Sequence, residues 1–286
     1  MPHKIVSKEQ LSENVFTLEI EAPLISSARK PGQFVIVGIS SDYSERIPLT
    51  IADTDAEKGT IRLIFQRLGK STAEMADMKV GDAFDNVVGP LGKPTHVEKF
   101  GTVVCVGGGI GAAPLLPIAR AMKQAGNKVI AILGARTKEL IILEEEFSKT
   151  SDELIVVTDD GSYGKKALVT EPLKQICSQA DKPVLAVAIG PAIMMKFCCS
   201  TTEACGVPTQ VSLNTIMVDG TGMCGGCRVE VDGETKFVCV DGPEFDGHKV
   251  NFDLMMRRLG AYKDMEEKAH KAYKEHRCKI GLDTPL

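Results

Sequence analysis

The chain has 286 residues, 43% hydrophobic and 25% charged, and a formal charge of −4. It is long enough for two compact domains and a small third unit, its composition is that of a soluble globular protein, and it has no basic footprint for nucleic acid. No run approaches the roughly eighteen apolar residues of a membrane helix and the start has no apolar signal core, so no membrane partner, a cytoplasmic location and reduced thiols are expected for its nine cysteines.

The first hundred residues read as short strands. Residues 4–20 alternate loosely, with Val15, Leu18 and Ile20 among polar neighbours, and Pro31-Gly32 turns into a strand over 33–39. Arg46-Ile47-Pro48-Leu49-Thr50 leads into Ile51-Ala52. A turn at 57–60 precedes a strand over 61–65 that ends on Phe65, and 80–82 and 87–90 close the section. Strands separated by Gly, Pro and Asp turns predict a closed antiparallel barrel. Only 71–78 reads as a helix. Arg46, at a strand end, offers a guanidinium that can grip a pyrophosphate in bidentate fashion, and Thr50 offers a hydroxyl beside a ring nitrogen. Gly69-Lys70-Ser71-Thr72 opens the short helix, whose N-terminus suits an anion. Singly, Arg46 fits a surface ion pair and Ser71-Thr72 an N-cap. Their order ahead of a dinucleotide motif favours a flavin.

Residues 102–106 are a continuous apolar run, as in a buried parallel strand. They run into Gly107-Gly108-Gly109-Ile110-Gly111-Ala112-Ala113-Pro114, with a helix over 115–125. Strand, glycine-rich turn and helix form the context in which a phosphate meets backbone amides and a helix dipole. The spacing is not a full G-x-G-x-x-G. Further strands are predicted at 129–133, 154–157 and 184–189, and helices at 140–147, 170–178 and 192–201. This alternation predicts a doubly wound parallel sheet with ligands at the carboxyl ends of its strands. Those ends carry Gly108–Gly111, Gly134–Arg136, Thr158–Gly161 with Asp159 and Asp160, and Gly190-Pro191. No acidic residue ends the second strand. Arg136 there suits either a 2′-phosphate or a pyrophosphate, so NAD and NADP are not distinguished. Glu144-Glu145-Glu146 reads as a solvated helix face, and Cys198-Cys199 as buried structural thiols.

Near the C-terminus, Asp219-Gly-Thr-Gly-Met-Cys224-Gly-Gly-Cys227 is followed after eleven residues by Cys239. Plant-type [2Fe–2S] loops have the spacing C-x4-C-x2-C with a distant fourth cysteine. With Asp219 in the first position, the set Asp219, Cys224, Cys227 and Cys239 still supplies four anionic ligands. A zinc knuckle built on Cys-x2-Cys is the other metal reading, and a glycine-rich turn with chance cysteines is the plain one. Asp232-Gly233 between alternating runs predicts a hairpin that returns Cys239 to Cys224 and Cys227. A strand over 211–218 is expected to lead into the loop, and helices over 252–259 and 265–277 to follow it. Met255, Met256, Leu259 and Tyr262 on this tail either dock a partner beside the cluster or pack on their own domain.

The order of motifs along nearly the whole chain resembles the ferredoxin–NADP reductase superfamily. Arg46–Thr50 looks like its flavin motif, with Leu49 inserted between Pro48 and Thr50, and Gly69–Thr72 like its flavin-pyrophosphate motif. Gly108–Gly111 with Pro114, and Gly190-Pro191, look like its nicotinamide motifs, with Ile189 where a Cys often stands. The C-terminal cluster narrows the resemblance to iron–sulfur electron-transfer subunits. Those of dihydroorotate dehydrogenase, one such family, begin their ligand set with Cys. Asp219 resembles instead the small subunits of NADH-dependent reduced ferredoxin:NADP oxidoreductases. The resemblance implies FAD on Arg46, Pro48, Leu49, Thr50, Phe65, Gly69, Lys70, Ser71 and Thr72, with Thr50 in the catalytic flavin environment. It implies NAD(H) on Gly108, Gly109, Gly111, Ala113, Pro114, Gly134, Arg136, Asp159, Asp160, Gly190 and Pro191. It also implies a large partner subunit with a bifurcating FAD, [4Fe–4S] clusters and an NADPH site, and ferredoxin reached through that subunit. The expected architecture is an α/β plus all-β chain. It comprises an FAD barrel over 1–98, a nucleotide domain over 99–210, a [2Fe–2S] unit over 211–250 and a helical tail over 251–286. Two rivals stay open: a dihydroorotate dehydrogenase subunit, and a zinc-stabilised nucleotide-binding module without redox activity.

Overall fold

Two seven-stranded sheets carry most of the chain, and the computed structural model describes residues 3–39 and 45–279. The part of the expected tail over 280–286 lies outside the described residues. The first sheet holds β1 (His3–Ser12), β2 (Val15–Glu21), β3 (Phe34–Gly38), β4 (Ile47–Asp55), β5 (Thr60–Gln66), β6 (Ala83–Phe84) and β7 (Asn86–Leu91), with helices α1 (Pro23–Ala28) and α2 (Lys70–Asp77) between strands. Its order is β6-β1-β2-β5-β4-β3-β7 and every neighbouring pair is antiparallel. The two edge strands are consecutive in the chain, joined through Asp85, so the sheet curls into a near-closed barrel. Leu18, Ile20, Ile51, Ile61, Leu63 and Phe84 fill it, all fully buried. Helix α1 is not anticipated by the sequence pattern; Pro23 opens it, where a missing N–H costs nothing. Residues 80–82, expected as a strand, are a turn.

The second sheet is built from β8 (Thr102–Gly108), α3 (Ala112–Gln124), β9 (Lys128–Ala135), α4 (Glu144–Thr150), β10 (Glu153–Thr158), β11 (Lys165–Lys166), α5 (Thr170–Cys177), β12 (Leu185–Ile189), α6 (Ala192–Ala204) and β13 (Thr209–Ser212). The chain then forms the hairpin β14 (Arg228–Val231) and β15 (Glu234–Phe237), a one-turn helix α7 (Val238–Asp241), strand β16 (Glu244–Asp246), and helices α8 (Phe252–Leu259) and α9 (Lys263–Lys279). The sheet order is β11-β10-β9-β8-β12-β13-β16. All pairs are parallel except β13 with β16. The order reverses between β8 and β12, which makes a topological switch point there. Continuous apolar strands such as Val103-Val104-Cys105-Val106 are buried on both faces.

Several local expectations are corrected. The strand expected over 211–218 ends at Ser212. Strand β15 stops at Phe237 because its partner Arg228 is the first residue of β14, so Val238 has no facing strand and the chain turns into α7. Helix α4 begins at Glu144, not at 140, after Leu143 adopts φ 61°. The acidic run that opens it is not a purely solvated face. Glu146 Oε1 accepts from Arg62 Nη1 of the barrel at 2.7 Å, and Glu144 Oε1 accepts from Tyr163 Oη at 2.9 Å. Arg120 Nη1 donates to Asp53 Oδ2 at 2.6 Å, so α3 and α4 both bridge to barrel strands. Cys198 and Cys199 are buried in the second core, as expected. Met255 is buried in that same core, with Met256 and Leu259 packed on it, so α8 serves its own domain; only Tyr262 of the expected docking residues is largely exposed.

Candidate cofactor sites

On the barrel, the two halves of the expected flavin motif meet. Arg46 is exposed one residue before β4, and Pro48, Leu49 and Thr50 are half-buried along it. Thr50 pairs with Phe34 of β3. The neighbouring Glu45 accepts from Ser71 Oγ at 2.8 Å, which draws the start of β4 against the first turn of α2. Thr72 closes that helix: its Oγ1 accepts from Leu68 N at 3.0 Å and Gly69 N at 3.1 Å. Lys70 pairs with Glu74 at 3.7 Å. Among the described residues no atom outside Gly69 and its chain neighbours lies within 4 Å of where a side chain on Gly69 would start, which leaves room for a ligand at the helix N-terminus. The remaining first-turn amides have no helical partner and carry the positive end of the dipole. Phe65, expected among the flavin residues, is a core side chain instead. It is fully buried with its ring 6.0 Å from that of Phe16, and presents no surface to a ligand.

At the switch point the sheet brings Gly108, Gly111 and Gly190 together. A Cβ on Gly111 would lie 2.2 Å from Ile189 O, and one on Gly108 2.2 Å from Met194 Sδ. Gly111 has an ordinary helical φ of −62°, so space and not conformation demands glycine there. Gly111→Ala should push α3 off the end of β12, at a cost of about 1–3 kcal/mol. The KM for NADH should rise at least about tenfold while bound flavin is kept; a normal KM would show that the turn does not form the nucleotide floor. Ala113 is buried, Pro114 and Gly109 are half-buried, and Pro191 is exposed at the mouth of the crevice. Gly134 is buried, with its missing side chain replaced by Val169. Arg136 is exposed and its carbonyl accepts from Asp160 N at 3.2 Å, which joins the ends of β9 and β10. Asp159 is exposed beside it. The Asp160 carboxylate is engaged by Ser162 N at 2.9 Å and Ser162 Oγ at 2.7 Å, and these bonds hold it below the usual carboxylate range.

The four expected metal ligands form two pairs. Cys224 Sγ lies 3.2 Å from Asp219 Oδ1, and Cys227 Sγ lies 3.2 Å from Cys239 Sγ. No three Cys, His, Asp or Glu side chains converge as a one-metal site would require, among the described residues. Asp219 Oδ2 also accepts from Thr221 Oγ1 at 3.0 Å and Met223 N at 3.0 Å. With Cys224 the largest influence, these bonds hold the Asp219 carboxyl down to about 2. Amides point at sulfur: Gly226 N lies 3.4 Å from Cys224 Sγ, and Cys239 N 3.4 Å from Cys227 Sγ. Cys227 and Cys239 are buried, whereas Cys224 is exposed beside Met223, which is 90% exposed. Burial pushes the Cys239 thiol up to about 12, so it gives up its proton only to something that supplies positive charge. Gly220, at φ 76°, wedges its backbone between Ile36 and Leu91, where an added Cβ would lie only 2.7 Å from either. That contact seats the ligand loop on the barrel.

Sequence reasoning misses two features of the joints. Met194 lies across Gly108 and Gly190, and nothing but the sheet order could bring those residues together. Glu244, the first residue of β16, faces the barrel turn at Gly32 and the interdomain linker, with Oε1 accepting from Thr95 Oγ1 at 2.5 Å. Its place in Pro243-Glu244-Phe245, shortly after Cys239, is the only local signal.

Known proteins resemble this arrangement along its length. Residues 214–251 match the iron–sulfur cluster binding domain of dihydroorotate dehydrogenase B, and residues 105–200 match the oxidoreductase NAD-binding domain. A dihydroorotate dehydrogenase B (NAD(+)) electron transfer subunit homolog of Thermotoga maritima is 47% identical over 95% of each chain. The dihydroorotate dehydrogenase B (NAD(+)) electron transfer subunit of Desulforamulus reducens is 34% identical over 86% of this chain and 96% of its own. A solved chain of the NADH-dependent reduced ferredoxin-NADP oxidoreductase, studied for flavin-based electron bifurcation, superposes with a TM-score of 0.90 at 46% identity, over 96% of this chain and 98% of that one. No helix among the described residues is long and apolar enough to cross a membrane. With a ferredoxin–NADP reductase-like fold, an NAD-binding domain and an iron–sulfur binding domain in this order, the chain belongs to the oxidoreductase family of dihydroorotate dehydrogenase B electron transfer subunits and their homologues.

Proposed function

We propose that the chain is the iron–sulfur flavoprotein subunit of a flavin-based electron-bifurcating, NADH-dependent ferredoxin:NADP oxidoreductase. In this reading it exchanges hydride between NAD(H) and FAD, and single electrons through a [2Fe–2S] cluster with a larger partner subunit. The observation that carries the reading is the pairing of ligands, Asp219 with Cys224 and Cys227 with Cys239, each at 3.2 Å. Two pairs are what a two-iron cluster takes, one pair per iron, as in clusters where a pair of His replaces a pair of Cys on one iron. A zinc knuckle would draw all its ligands to one point. The ends of β4 and α2 fit a flavin: Arg46 to grip pyrophosphate, the open first turn at Gly69–Thr72 to accept its charge, and Thr50 beside the ring. The crevice at Gly108, Gly111 and Gly190 fits a dinucleotide with its phosphates on α3.

When bound, FAD links two-electron exchange with nicotinamide to one-electron exchange with the cluster. The residues do the rest. The switch-point crevice offers the nicotinamide nucleotide a backbone floor of glycines, with the Met194 side chain across Gly108 and Gly190. The buried pair Cys227 and Cys239 sits inside, while exposed Cys224, beside Met223, opens toward a docking partner. The partner proposed carries a second FAD, [4Fe–4S] clusters and the NADPH site, with ferredoxin reached through it. A second reading, the electron transfer subunit of dihydroorotate dehydrogenase, is favoured by the domain matched over 214–251.

Purified anaerobically, the chain should be brown, with about two iron and two sulfide per chain and one FAD. It should reduce artificial dyes with NADH. Zinc without iron would overturn the cluster. Arg46→Ala should weaken FAD binding about 10- to 100-fold, the scale of a lost charge-assisted phosphate contact; unchanged affinity would remove Arg46 from the site. Co-purification of the native complex separates the two readings. NADPH-dependent ferredoxin turnover supports the first, and NAD reduction by dihydroorotate the second.

A further inference from the structure

We propose that α9 is a strap which holds α2 in place, with Tyr273 as its positioning residue. This rests on the reading that the first turn of α2 faces the flavin pyrophosphate. The helical segment after Asn251 links two places far apart in the chain. Its root is in the cluster unit: Phe252 and Met255 are buried in the second core, and Arg258 Nη2 donates to Gly226 O at 3.2 Å, between Cys224 and Cys227. From there a turn over Gly260–Tyr262 leads into α9, which crosses to the barrel and packs on α2.

The strap has little apolar surface of its own. Most of its described side chains are exposed, and only Ala269, His270 and Tyr273, on one face, are half-buried. A helix so polar has no hydrophobic stripe to hold it down, so its polar contacts decide where it lies. Tyr273 Oη donates to Asp77 Oδ2 at 2.8 Å. Asp77 is the last residue of α2, and its Oδ1 lies 3.6 Å from Arg67 Nη2. Arg67 stands two residues before Gly69, the N-cap of the helix. The contact therefore clasps both ends of α2 at once. His270 lies on the same face, half-buried. Beneath, Lys8 Nζ caps the carbonyls of Ala76 and Met78, so α2 is fixed at its C-terminal end from both sides. The strap reaches the N-terminal turn, open at Gly69, through Asp77 and Arg67, the residue two before Gly69. One element thus joins the cluster loop at Gly226 to the helix that receives the flavin.

The test compares the full chain, Tyr273→Phe, and a chain ended after Gly260. It reads the rate of FAD release, amide exchange over 70–78 in the flavin-free protein, and iron content. Tyr273→Phe keeps the ring and removes the donor. It should speed FAD release about three- to tenfold, the scale of one lost hydrogen bond, and speed exchange over 70–78, with iron content and the overall thermal midpoint unchanged. The shortened chain should show a larger change in the same two readouts. Release and exchange equal to the full chain in Tyr273→Phe would overturn the strap, whether or not the shortened chain folds. If the full chain retains no FAD, the flavin reading fails. Amide exchange over 70–78 then decides the strap alone: faster exchange in Tyr273→Phe supports it, and equal exchange overturns it.

Discussion

Cys227→Ser should leave the protein without its cluster and its brown colour, while NADH still reduces artificial dyes. Cys227 and Cys239 are both buried, 3.2 Å apart at sulfur, at the foot of the β14–β15 hairpin. Loss of one thiolate leaves one iron of a two-iron site with a single buried ligand. Because such binding is coupled to local folding, the loop over 219–227 should also lose amide protection. Electron transfer to the partner subunit should fall to background. Cys199→Ala is the control: Cys199 is a core thiol on the buried face of α6, packed where a side chain on Gly247 would fall, and its loss should cost packing and no iron. Retention of full iron by Cys227→Ser would exclude Cys227 as a ligand. Asp219 is tested separately. Asp219→Ala should lower cluster occupancy or alter its EPR signal, and Asp219→Cys should keep a cluster with a shifted potential, since thiolate and carboxylate differ in softness. An unchanged spectrum in both would place the fourth ligand elsewhere.

The ease of reading this chain follows the range of each interaction. The ligand loop is legible because the spacing of Asp219, Cys224 and Cys227 is local, and because Asp232-Gly233 forces a tight hairpin: both residues take positive φ, 55° and 75°. The parallel strands are legible because burial on both faces removes all alternation. The strand-end positions follow from that alternation of strands and helices, although nothing in the spacing tells which ends meet at the crevice. What is hidden depends on distant partners. Strand β16 is three residues long and exists because the edge of β13 offers a ladder. The one-turn helix at Cys239 exists because β14 has no residue left to pair. Phe65 looks like any aromatic near a strand end, and only the pairing of β2 with β5, which sets it opposite Phe16, makes it a core side chain. Glu146 belongs to an acidic run that reads as solvated, and it finds Arg62 only when the two sheets dock.

The stability of the flavin- and iron-free chain should fall as pH rises from about 4.5 to about 7, and Glu244→Gln should remove that fall. Glu244 opens β16 opposite Ser212. Its carboxyl is enclosed between the linker and the Pro31-Gly32 turn: Oε1 takes the bond from Thr95 Oγ1, and a side chain on Gly32 would collide with both. Oε2 is buried with no hydrogen-bond partner among the described residues. Burial pushes the carboxyl up to about 7, against the opposing pull of the Thr95 bond. The folded chain therefore keeps a proton that the unfolded chain has already lost above its ordinary value of 4.5. Where the native state binds more protons than the unfolded one, stability declines with rising pH. Below about 4.5 both states are protonated and nothing is lost; above about 7 the whole cost is present. At about 1.4 kcal/mol for each tenfold change in proton concentration, the loss comes to about 3 kcal/mol. Carboxylates held down in the fold act in the opposite sense and in another window. Asp152, lowered chiefly by its bond from Lys123, weakens the fold only as pH falls through the acid range. Gln at 244 keeps the shape, accepts from Thr95 as before, and carries no charge. Urea midpoints between pH 5 and 8 should fall for the natural chain and stay level for Glu244→Gln, which should be the more stable of the two at pH 8. Parallel curves for the two proteins would show that Glu244 ionises without cost and that its carboxyl reaches water.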